Sequence, residues 1–112
     1  MSASAFKERL RADLKTAMRE RKPDEVAAIR TVIAAIDNAE AVPVEDLAER
    51  IRLREAVGEV VRADLDGAAL DRVLQREIET RLSAAEDYEK HGREADAARL
   101  RAEAELVARY RA

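Results

Sequence analysis

A chain of 112 residues with 47% hydrophobic and 40% charged residues, three Gly and two Pro can build one modest core, and the profile is that of a helical protein with solvated outer faces. The absence of cysteine excludes disulfides, zinc-thiolate sites and thiol nucleophiles; no apolar run approaches the roughly 18 residues of a membrane span, and the opening MSASAFKERL lacks the apolar centre of a signal peptide. The net charge of −3 is unevenly spread: residues 1–22 hold seven Lys or Arg against three Asp or Glu, and residues 23–66 hold five against eleven. A cytoplasmic single domain over 1–112 is the expectation. Aromatics are only 3% of the chain and alanine supplies much of the apolar count, so little area is buried per residue. Association with a partner protein or a second copy would cover what remains.

The first helix is expected from about Ala3 to Arg21, with Ser2 or Ser4 as N-cap and Phe6, Leu10, Leu14, Ala17 and Met18 as its buried face. Lys7, Arg11, Lys15, Arg19 and Lys22 lie around the other side. The helix ends before Pro23, because proline disfavours helical geometry in the residue preceding it. Pro23 suits the first turn of the second helix, where its missing N–H costs nothing, and Asp24 and Glu25 complement the dipole there. Val26, Ile29, Val32, Ile33 and Ile36 form the most hydrophobic stripe, out to about Ala39. The tight connection makes these two helices an antiparallel hairpin.

After Pro43, residues 44–57 regain helical character through Leu47 and Ile51, and a shorter exposed helix is expected there. Gly58 ends it, and EVVRADL reads as an extended connector, with a short strand as the alternative. The longest helix follows. Asp66 is placed to cap it, and Leu70, Leu74, Ile78, Leu82 and Ala85 recur at spacings of four and three, giving one apolar stripe. Gly92 stands where a left-handed residue would close the helix. A last helix from about Glu94 to Arg109 returns through Ala95, Ala98, Ala102, Leu106 and Tyr110. The fold class is therefore all-α: a helical bundle of four long helices, one shorter helix and an extended connecting segment.

Catalytic constellations are scarce. The three glycines stand alone at 58, 67 and 92, which leaves no phosphate loop. His91, the only histidine, sits in a helix-ending turn, where its charge favours the dipole more readily than it serves catalysis or, with Asp87 or Glu94, a metal. No metal, cofactor or catalytic residue is expected. Glu77 and Arg81 are four apart with the acid first, and Glu105 and Tyr110 return toward them if the last helix folds back. A polar clasp fixing helix register is the expected role of these four, with Arg93 capping the far end. For nucleic acid, Lys7, Arg11, Lys15, Arg19 and Arg21 could track phosphates and Arg30 could extend the stripe, though without aromatic residues for base stacking.

The stretches FKERLRADLKTAMRER, AAIRTVIAAIDNAE, LQREIETRLSAAEDYEKHGR and RLRAEAELVARY, in that order, resemble the YqeY-like family, related to GatB, the B subunit of the glutamine-dependent tRNA amidotransferase. The combination of Arg30, Glu77, Arg81, Tyr88, the Gly92-Arg93 turn, Glu105 with Leu106, and Tyr110 carries the likeness; Pro43 to Leu65 matches poorly. The resemblance implies an N-terminal helical domain, normally followed by a smaller GatB-like tail associated with tRNA. Here the chain closes at Tyr110-Arg111-Ala112, as in short forms lacking that tail. Amidotransferase chemistry resides in other domains and subunits, so a carbon-nitrogen ligase label would be inherited without a catalytic site. The implied function is a non-enzymatic accessory or interaction protein linked to translation or tRNA-dependent amidation. A tRNA-binding module using the basic first helix is the alternative, and a homodimer through the second or last helix is a third expectation.

Overall fold

A computed structural model describes residues 3–41, 52 and 65–111. Within them lie four helices, α1 (Ala3–Arg19), α2 (Pro23–Glu40), α3 (Gly67–Lys90) and α4 (Glu94–Arg109), and no strand among the described residues. The all-α bundle expected from the periodicity is what forms. The shorter helix placed at 44–57 and the connector at 59–65 lie outside the described residues, apart from helical Arg52 and the half-buried Leu65. No described helix is long and apolar enough to cross a membrane.

Two hairpins make up the bundle, and they close with the same chemistry. In the first, Lys22 N–H donates to the Ala17 carbonyl at 3.0 Å and Arg21 N–H to that of Met18 at 3.2 Å. In the second, Arg93 N–H donates to Tyr88 at 2.8 Å and Gly92 N–H to Glu89 at 3.1 Å. Both are Schellman closures, which need a left-handed residue just past the helix. Gly92 supplies it with φ +73°, as its position suggests, whereas Arg21 supplies it with φ +57° against the preference of any side chain carrying a β-carbon. Helix α1 accordingly stops at Arg19 rather than Arg21. Ser4 lies inside α1, and the alternative cap, Ser2, lies outside the described residues. Pro23 opens α2 at the first helical position, and the Asp66 carboxylate accepts from Ala69 N–H at 2.8 Å to cap α3.

Helix α2 is the hub, packed on α1, α3 and α4. Its Ile29, Val32 and Ile36 are buried with Phe6 and Leu10 of α1, Leu70 and Leu74 of α3, and Leu106 and Val107 of α4. Each such side chain contributes about 1.5–3 kcal/mol by leaving water. This core reaches no further along α3 than Ile78. Beyond it, α3 and α4 pack on one another through small residues, Ala85 and Ala97, both fully enclosed.

Three apolar assignments come out differently. Met18, expected inside, is 51% exposed, because the buried face of α1 turns through Ala3, Phe6, Leu10 and Ala17 and leaves Met18 past its edge. Leu82, expected in the α3 stripe, is 44% exposed; the inward position one residue before it belongs to Arg81. On α4 the buried face runs through Ala97, Ala104, Leu106 and Val107, while Ala95, Ala98 and Ala102 face solvent. Alanines stand on both sides of α4 at helical spacing, so a stripe drawn through them has two solutions. The bulkier Val107 decides for the one facing α3 and α2.

Candidate functional site

Among the described residues, polar and charged side chains pair between helices at three places along the bundle. The first is Arg81, 6% exposed, whose Nη1 donates to both the backbone carbonyl and the carboxylate of Glu77, each at 3.1 Å. On its other side Nε lies 3.5 Å from the Glu103 carboxylate, an ion pair without a hydrogen bond, so Nε is buried with no hydrogen-bond partner. A guanidinium between two carboxylates joins α3 to α4 at the end of the main core. The partner from α4 is Glu103, not Glu105. Glu105 points to solvent and makes no ion pair with a described residue. Arg81 and Glu103 stand equally far from Gly92 along the chain, so counting outward from the turn would have found the right glutamate.

The second place is the end of the chain. Tyr110, expected to return to α3, instead donates its hydroxyl to Asp13 of α1. Its ring meets Phe6 edge-on, centroids 5.7 Å apart at 72°, and the Arg9 guanidinium lies 4.9 Å from its centroid on α1. Burial, reinforced by the hydrogen bond to Asp13, pushes the phenol well above its ordinary value. Next to it Arg111 grips Asp71 with two nitrogens at 2.8 and 2.9 Å, which lowers the Asp71 carboxyl and raises the guanidinium. The C-terminal end of α4 is thus tied to α1 and to the start of α3. Asp13, Arg9, Asp71 and Arg111 escape a reading of the sequence because their pairings join segments far apart in the chain.

The third place concerns Lys7. Grouped by sequence with the solvent-facing cations, it is 8% exposed, and its Nζ lies 2.9 Å from Asp37 and 2.6 Å from Glu40. Glu40 first and Asp37 second hold the ammonium above its ordinary value. The reason is positional. Lys7 follows Phe6 at the margin of the buried face, and the antiparallel hairpin brings the acidic end of α2 beside it, where a cation also offsets the helix dipole. Lys7 is therefore withdrawn from any polyanion-binding face.

The remaining residues singled out by sequence stay at the surface. Arg11, Lys15 and Arg19 of α1 and Arg30 of α2 are exposed and form no ion pair with a described residue; Arg19 donates only to Thr16 Oγ1, at 3.4 Å. At the tip of the second hairpin Arg93 lies 4.9 Å from the Tyr88 ring centroid and pairs with Asp96 at 2.8 Å. His91 ends α3 with its Nδ1 2.7 Å from the Asp87 carbonyl, which assigns the proton to that nitrogen. Among the described residues no three His, Cys, Asp or Glu side chains gather where they could hold a metal ion. The outer side of the α3–α4 hairpin carries a shallow apolar depression around Leu82 and Ile78, floored by α4 alanines and bordered by Arg101 and Glu105.

Glu77, Arg81 and Glu103 join α3 to α4, Tyr110 joins the end of α4 to α1, and Lys7 joins α1 to α2. A family model described as Yqey-like protein matches residues 7–111. No curated protein matches the chain, and no solved structure does.

Proposed function

The chain belongs to the YqeY-like family, and from that membership we propose that it works as a helical interaction module with no chemistry of its own, serving the tRNA-dependent amidation machinery that the family resembles. One observation carries this reading. The two cations buried among the described residues, Lys7 and Arg81, are each held between two carboxylates of the same chain, while the large apolar side chain of Leu82 is left on the surface. An active site normally has the opposite layout, with perturbed ionisable groups turned toward an open cleft. The test is incubation of the purified protein with glutamine and ATP, following ammonia and ADP. Release at the rate of a protein-free blank is expected; turnover proportional to protein concentration would remove the reading.

A second reading, tRNA binding by the basic first helix, draws on the exposure of Arg11, Lys15, Arg19 and Arg30 without carboxylate partners among the described residues. Without Lys7, five of the six cations named from the sequence remain, the exposed Arg21 with these four. Fluorescence anisotropy with bulk tRNA across a salt series tests it: replacing Arg11, Lys15 and Arg19 by Gln should reduce the log-log salt slope by about 2–3, since each phosphate contact contributes about 0.7–0.9. An unchanged slope and affinity would sink this reading.

A further inference from the structure

We propose that the outer face of the α3–α4 hairpin seats a second copy of this chain, two hairpins packing antiparallel about a two-fold axis to make a four-helix arrangement. The inference goes beyond the absence of catalysis argued above and names the partner of the face where Leu82 is exposed.

The argument begins with what this face leaves uncovered. Leu82 is 44% exposed in the middle of a long helix, with the half-buried Ile78 one turn before it on the same side. Across the depression, α4 offers exposed Ala98, Ala102 and Ala108. Side chains this small let the facing helices approach to about 8 Å, close enough for the Leu82 side chains of the two copies to meet beside the alanines of both.

The charges at the rim choose the occupant. Arg101 and Glu105 lie four residues apart on the same exposed side of α4. A two-fold axis crossing α4 perpendicularly between them, with the two α4 helices antiparallel, sets Arg101 of each copy against Glu105 of the other. Both new pairs form at once. Within one chain Glu105 has no cation among the described residues, and Arg101 engages Glu89 through a single guanidinium nitrogen, Nη2, leaving further donors for a second carboxylate. An unrelated partner would have to bring its own matching pair in this spacing. A second copy carries it already, and isologous pairing consumes the patch completely, so association closes at the dimer instead of growing into fibres.

The mass of the full chain measured by sedimentation equilibrium from about 1 to about 500 µM decides the matter, a range that brackets the affinity expected of a small, alanine-rich contact. The weight-average mass should rise from 12.5 kDa toward twice that value. Leu82→Glu should remain monomeric throughout with unaltered helicity, because Leu82 is already 44% exposed. Glu105→Arg, which sets arginine against arginine across the axis, should weaken association about tenfold or more, and Arg101→Glu combined with Glu105→Arg should restore most of it, since the pairing is exchanged and not lost. A wild-type chain that stays monomeric at the highest concentration, or a dimer indifferent to both Leu82→Glu and Glu105→Arg, overturns the proposal. Glutamine turnover is read separately: a monomer without turnover defeats the dimer alone, and a dimer with turnover defeats the non-catalytic reading alone.

Discussion

Replacing Arg81 by Met removes the cation between Glu77 and Glu103 while keeping a side chain long enough to fill its channel. The two carboxylates it separates are largely buried, each with 18% of its side chain exposed, and without Arg81 they confront one another with no counter-charge among the described residues. Breaking a buried pair by deleting one partner costs about 3–5 kcal/mol; because both acids keep some contact with water, the lower end applies, about 3 kcal/mol. For a chain of this length that corresponds to a fall of about 12 °C in the thermal midpoint. The companion variant Arg81→Met with Glu77→Leu and Glu103→Leu should recover the loss to within about 1 kcal/mol or surpass the wild type, since charges at 3.5 Å with an unbonded Nε repay little of their desolvation. Urea unfolding followed by circular dichroism at 222 nm gives both values. A single substitution costing under about 1 kcal/mol would mean that the triad is hydrated in solution, and a triple variant weaker than the single one would mean that the ions stabilise beyond what packing can replace.

Three further outcomes follow from the same geometry. Glu103→Gln should lower stability by about 1–2 kcal/mol in urea melts, whereas Glu105→Gln should stay within about 0.5 kcal/mol of the wild type; equal effects would contradict the register of α3 on α4. At the hairpin turns, Gly92→Ala should cost about 1 kcal/mol from backbone strain alone, because no atom lies within 4 Å of the added carbon, and Arg21→Gly should gain about 0.5–1 kcal/mol; thermal melts that move the other way would disprove the left-handed assignments. Toward alkaline pH the bundle should weaken: Tyr110 and Lys7 both have raised folded values, so their stabilisation is complete below the ordinary values of 10.0 and 10.5 and is lost as pH rises through the folded ones. Tyr110→Phe should flatten that alkaline limb above about pH 10 in pH-dependent urea titrations, and an unchanged limb would remove Tyr110 from the account.

The sequence by itself determined the helices, because helix formation depends on neighbours three and four residues away and on the residues at the ends. Pro23 at the start of α2, Asp66 capping α3 and Gly92 in the left-handed region of its turn are local matters, and each is legible in the chain. The stripe Ile29, Val32, Ile36 identifies α2 as the hub for the same reason. Family membership is equally a property of the linear order of residues.

Only the tertiary structure decided where each charge and each ambiguous apolar residue went. Lys7 reads as a surface cation until the hairpin brings Asp37 and Glu40 to it, and Tyr110 reads as part of the α3 clasp until α1 offers Asp13. Glu105 and Glu103 have similar local surroundings, and the choice between them rests on the exact pairing of α3 with α4. Leu82 and the α4 alanines look like core by spacing alone; the inward position was already occupied by Arg81. The physical reason is common to all four. A helix fixes which residues share a face, but which face meets a neighbour depends on the whole set of helices competing for the same core, and that competition has no counterpart in local spacing.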